Sequence, residues 1–168
     1  MLSIRPRLAL TAASLLLAFG AHAQNAAAVR AEKNISLELA NQLASATVAA
    51  CAASGYAVTA TVVDRAGGVR AMQRADNAGP HTVQAAERKA YTSASAKAPT
   101  KTMLENSQKN PGAATLGDIP GFLLLGGGLP IKAGNEVIGA IGVGGAPGGH
   151  LDEQCAQTAL DKFKAELG

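Results

Sequence analysis

The sequence predicts one α+β domain, a five-stranded antiparallel sheet with helices on both faces. Three observations carry that prediction. Segments of helical and strand periodicity follow one another in the order α-β-β-α-α-β-β-β-α, with hairpin-length turns between neighbouring strands. Residues 137–143 (VIGAIGV) are apolar on both faces of an alternating pattern, as in a central strand. The chain is 48% hydrophobic and 16% charged, a balance that supports a buried core rather than disorder.

The first 23 residues stand outside that domain. MLSIRPRLALTAASLLLAFGAHA has Arg5 and Arg7, then an apolar run from Leu8 to Phe19, then Ala21-His22-Ala23. That is the layout of a secretory signal peptide with cleavage after Ala23. A membrane anchor is the alternative, and the apolar run is short for it. Gln24 follows the expected cut, so no cysteine is placed to carry a lipid, and Pro6 separates the arginines. The expected mature chain is 24–168, exported to a bacterial periplasm and not inserted in the membrane. Removal of Arg5 and Arg7 lowers Lys plus Arg from 15 to 13 against 12 Asp plus Glu, a net charge of +1. Such a chain offers no electrostatic case for nucleic acid as a partner.

The elements follow in order. Residues 24–34 are alanine-rich and polar, a loose lead-in to a domain at 35–168. Ser36 can cap a helix to about Ser54. Leu37, Ala40, Leu43, Ala44, Val48 and Cys51 recur there at helical spacing, and Gly55 ends it. VTATVVD (58–64) and VRAMQR (69–74) form a hairpin across RAGG. A helix runs from about Pro80 to Lys97, stopped by Pro99, and a shorter one covers Thr100 to Lys109. After a Gly/Pro-rich loop, FLLLGG (122–127) reads as a strand. LPIKAGNEVIGAIGV (129–143) is a second hairpin about Gly134-Asn135. A last helix covers about Leu151 to Leu167.

Two cysteines, Cys51 and Cys155, lie in the first and last helices. In an exported protein a disulfide between them is favoured over two buried thiols.

Candidate chemistry is sparse. No G-x-S-x-G, H-E-x-x-H, S-x-x-K or G-K-[ST] motif occurs. After cleavage His81 and His150 are the histidines left. GVGGAPGGHLDE (142–153) could expose backbone N–H groups to an anion. Its spacing fits neither a Rossmann fingerprint nor a P-loop, so a strand-to-helix turn with His150 on its surface is the simpler reading. His81 follows Pro80 in the first turn of a helix, and its face continues through Gln84, Ala85, Arg88, Lys89 and Thr92. The axial rise from His81 to Arg88 is about 10 Å. A flat ligand held at its metal by imidazole and at its acidic arms by cations would suit that spacing. Spacing alone favours the plainer reading, a capping histidine beside a solvated basic face.

RADNAGPHTVQAAERKAYTS, GGGLPIKAGNEVIGAIGVGGAPGG and HLDEQCAQTALDK together resemble the GlcG/HbpS-like haem-binding family, in particular its exported members. The resemblance spans roughly residues 34–167. It implies a profilin-like fold, with five antiparallel strands between helical layers, and a homo-oligomer. It implies haem as cofactor, since several members bind it, while others belong to glycolate or diol utilisation groups. The family's GPHT block matches Gly79, Pro80, His81 and Thr82, and its basic helix matches Arg88, Lys89 and Tyr91. The resulting expectation is a periplasmic haem-binding protein for sequestration, delivery or redox sensing. His81 would ligate iron, and Arg74, Arg88 and Lys89 would hold propionates. The paired cysteines fit the exported branch. A binder or enzyme of small organic acids such as glycolate is the second reading, with turn 144–149 and the basic helix forming a carboxylate pocket. A purely structural oligomer is the third. Binding is favoured over catalysis.

Overall fold

Ser36 starts the first helix as its sequence indicates: the Ser36 hydroxyl accepts the Leu39 N–H at 3.1 Å, and α1 runs Leu37–Ala53. The computed structural model describes residues 29–168. The expected signal peptide and its cleavage site lie outside the described residues. The chain divides into Met1–Ala31, of which residues 29–31 are described and carry no helix or strand, and Glu32–Gly168. Everything below concerns the second unit.

After α1 come β1 (Thr59–Asp64), β2 (Val69–Arg74), α2 (His81–Ala96), α3 (Thr100–Lys109), β3 (Gly128–Ala133), β4 (Glu136–Gly144), α4 (Gly149–Lys162) and the short α5 (Lys164–Leu167). Two single 3-10 turns, Pro111–Ala113 and Leu116–Asp118, occupy the loop before β3. All strand pairs are antiparallel in the order β2-β1-β4-β3. The helices cover both faces: α2 lies across β4, β1 and β3, while α1 and α4 pack on the other side.

The sheet therefore has four strands, not the expected five. The missing strand is FLLLGG. Its backbone groups are taken by helix side chains instead of a neighbouring strand. Thr92 Oγ1 accepts the Leu123 N–H at 2.8 Å. Arg88 donates to the Phe122 carbonyl. Thr100 Oγ1 donates to the Leu125 carbonyl at 2.7 Å and accepts the Gly128 N–H at 2.9 Å. Only at Gly127 does the segment meet β4, through Val143 N–H.

The strand apolar on both faces is central, as its pattern requires: β4 is buried from Ile138 to Gly144, and its partner β1 from Thr59 to Val63. Alanine and glycine let α2 settle close. A Cβ on Gly142 would lie 2.1 Å from the Ala86 carbonyl oxygen, so the helix could not sit there over any other residue. On the opposite face Leu43, Val62, Ile131, Ile141 and Val143 form the main core with α1 and α4. Cys51 and Cys155 are joined there, Cα to Cα 5.2 Å, tying α1 to α4. Among the described residues, no helix is long and apolar enough to cross a membrane.

Candidate functional site

The strand ends place the candidate residues. Thr59 pairs with both Arg74 and Gly144, so β2 and β4 finish at the same end of the sheet, and α2 and α4 start from that end. The loop from β2 to α2 is pinned by short-range bonds. Arg74 Nε donates to the Ala78 carbonyl at 2.9 Å, and Nη2 donates to the same oxygen. Thr82 Oγ1 donates to the Gly79 carbonyl at 2.7 Å. It then accepts the hydroxyl of Thr59, also at 2.7 Å, which anchors the first turn of α2 to β1.

His81 is the first residue of α2 and is exposed. Its ring rests over Gly79: a Cβ there would lie 2.7 Å from Cε1 and 2.9 Å from Nδ1, with Nε2 at 3.8 Å. Glycine thus gives the imidazole its seat and leaves Nε2 as the more outlying nitrogen. Arg88 lies on the same flank, seven residues on, and is half-buried, with one donor on the Phe122 carbonyl. A guanidinium has five N–H donors, so both Arg74 and Arg88 keep donors for an anion. Tyr91 packs between Gly67 and Gly121 and meets Phe122 edge-on at 6.2 Å between ring centres.

Lys89 goes elsewhere. Eight residues from His81 is about 80° round a helix, enough to turn it from the outer flank to the sheet. Its side chain is 2% exposed. Nζ donates to Asp152 Oδ2 at 2.7 Å and to the Val143 carbonyl at 2.8 Å. Asp152 Oδ1 accepts the Ala146 N–H at 3.0 Å, so one ion pair joins α2, β4, α4 and the turn between the last two. Burial pushes the Asp152 carboxyl above its usual range, and the charge and hydrogen bond of Lys89 offset this in part. The expected outward basic pair of Arg88 and Lys89 is thus split: Arg88 faces out, and Lys89 is a structural cation. Asp152 was not singled out from the sequence. The signal available was a lysine flanked by Ala86, Ala90 and Ser93 on a buried helix face.

His81 and the Arg74 clamp therefore lie at the N-terminal end of α2, with Arg88 about 10 Å farther along the helix. The arrangement offers one imidazole and two partly committed guanidinium groups beside the aromatic pair Tyr91–Phe122. Among the described residues, no group of three or more His, Cys, Asp or Glu is placed to hold a bare metal ion.

Comparison with known proteins bears on this arrangement. The family model described as haem-degrading protein HbpS-like matches residues 35–161. A double mutant of HbpS from Streptomyces reticuli superposes with a TM-score of 0.77 at 36% identity, covering 94% of this chain and 99% of that one. An uncharacterised 15.0 kDa protein of the dhaT-dhaS intergenic region of Citrobacter freundii is 34% identical over 133 residues, 77% of this chain and 92% of that protein. PduOC, solved as a complex with haem, shares the fold at 24% identity and a TM-score of 0.68, covering 76% of this chain and 94% of that one.

Proposed function

The chain belongs to the HbpS-like family, and on that premise we propose that it is an exported haem-binding protein with His81 as the axial ligand. The observation that carries the reading is the exposed imidazole of His81, seated on Gly79 by a loop that Arg74 and Thr82 hold rigid. Neutral imidazole is a common haem ligand. Arg88, about 10 Å along the same flank, has free donors for a propionate. Arg74 supplies a second cation near His81, and the Tyr91–Phe122 pair supplies apolar surface. Lys89 takes no part, since its ammonium is already bonded inside the fold.

Bound haem would supply redox-active iron, which His81 would hold, with Arg88 and Arg74 at its propionates. The chain's own part is to present the imidazole, orient the propionates and cover one porphyrin face. His81 lies on open surface, so a second copy of the chain completes the enclosure in this reading. Haem degradation, which the family description names, would start from the same binding step. The Cys51–Cys155 disulfide supports export, because such bonds persist in oxidising compartments. Titration of the protein with haemin at the Soret band tests the reading. A saturable, stoichiometric shift that His81→Ala weakens is expected. Unchanged affinity and spectrum in His81→Ala would remove His81 from the site.

A further inference from the structure

The second histidine lines a cleft that the haem reading does not use. Beside the first turns of α4 a cavity of about 400 Å³ is lined by Lys101, Leu129, His150, Glu153, Gln154 and Gln157. It shares no residue with the surroundings of His81. His150 and Glu153 stand one helical turn apart on α4, on one side of it. Lys101 comes from the first turn of α3, and Leu129 from β3.

Three features point to a ligand. Glu153 is half-buried and lines the cleft, and its Oε1 accepts no hydrogen bond from the protein. Lys101 lines the same cleft, yet among the described residues its ammonium forms no hydrogen bond or ion pair, with Glu153 or any other group, within 4.0 Å. His150 is posed as His81 is. A Cβ on Gly148 would lie 2.8 Å from its Cε1 and 2.9 Å from Nδ1, so the ring rests over the glycine with Nε2 farther off at 4.0 Å.

The charges narrow the ligand class. A bare cation would meet the Lys101 ammonium, and a simple anion would meet the Glu153 carboxylate. A molecule carrying both complementary charges satisfies both. We propose that this cleft binds a small zwitterion whose ammonium group meets Glu153 and whose carboxylate meets Lys101. A short aliphatic chain between them lies on Leu129, within hydrogen-bonding reach of His150 and the Gln154 and Gln157 amides. The proposal is independent of haem binding.

Isothermal titration of the full chain with 4-aminobutyrate, butylamine and butyrate tests it. The zwitterion should bind at least about tenfold more tightly than either singly charged analogue, the loss expected for one missing charge-assisted bond. Glu153→Gln and Lys101→Met should each weaken 4-aminobutyrate by a similar factor while leaving the haemin titration unchanged. Lys101 is exposed and Glu153 half-buried, and thermal melts of the variants check that they fold. Three results would each overturn the proposal: no heat with 4-aminobutyrate, equal affinity for butylamine, or unchanged affinity in either variant. Zinc binding that depends on His150 and Glu153, without 4-aminobutyrate binding, would assign the cleft to a metal instead and would also overturn it.

Discussion

Replacing Lys89 by Met leaves Asp152 buried opposite an apolar side chain. In the native fold the Lys89 ammonium touches Asp152 Oδ2 at 2.7 Å and the Val143 carbonyl at 2.8 Å, and both side chains are at most 3% exposed. Removing one partner of such a pair costs about 3–5 kcal/mol, because the other charge is stranded. The cost depends on pH, and its sign follows from Asp152. Its carboxyl is raised by burial even with Lys89 present. A carboxyl raised in the folded state holds its proton more tightly there than in the unfolded chain. It therefore weakens the fold as pH climbs through the raised value, and the penalty fades at acid pH. Without Lys89 its charge and its hydrogen bond to Asp152 are both lost, and the carboxyl rises further. Lys89→Met should then lose about 3–5 kcal/mol at pH 8 and clearly less at pH 5. Lys89→Met with Asp152→Asn should recover much of the loss at pH 8. Urea unfolding followed by circular dichroism at both pH values measures this. A loss under about 1 kcal/mol at pH 8, the level of an exposed pair, would refute the argument, as would equal losses at both pH values.

Three further outcomes follow from the packing. Reducing Cys51–Cys155, which closes a loop with a sequence separation of 104, should cost about 4–5 kcal/mol in the chain-entropy account, read as a lower urea midpoint in dithiothreitol. Gly142→Ala should destabilise by about 3 kcal/mol or more, since its methyl would lie 2.1 Å from the Ala86 carbonyl and α2 must lift to admit it. Thr100→Val should cost about 1–3 kcal/mol by stranding the Leu125 carbonyl and the Gly128 N–H, and amide exchange at Gly128 should quicken.

The sequence was most legible where local chemistry and tertiary packing agree. Ser36 and Gly55 bound α1 because capping and a left-handed turn are local demands. Gly134-Asn135 closes the β3–β4 hairpin for the same reason, and a strand apolar on both faces can only be central. FLLLGG failed because its apolar run says nothing about where its backbone bonds go. They go to Thr92, Arg88 and Thr100, residues whose hydroxyl and guanidinium groups carry no strand or helix signature. Lys89 failed by angle: i+7 and i+8 both continue a helical face in sequence, yet here one points out and the other into the sheet. Its partner, Asp152, lies 63 residues away, beyond the reach of any periodicity. The sequence puts His81 in the first turn of α2, but its seat on Gly79 is a matter of ring placement that the GPHT string only hints at.

The most direct measurement is chemical rescue of the iron ligand. His81→Gly removes the imidazole, and free imidazole can then be supplied in solution. If His81 ligates haem iron, the variant loaded with haemin should show an altered Soret band that returns to the wild-type position as imidazole is added, saturably and at millimolar levels or below. A wild-type spectrum in His81→Gly before any imidazole is added would contradict that assignment and place the haem ligand elsewhere.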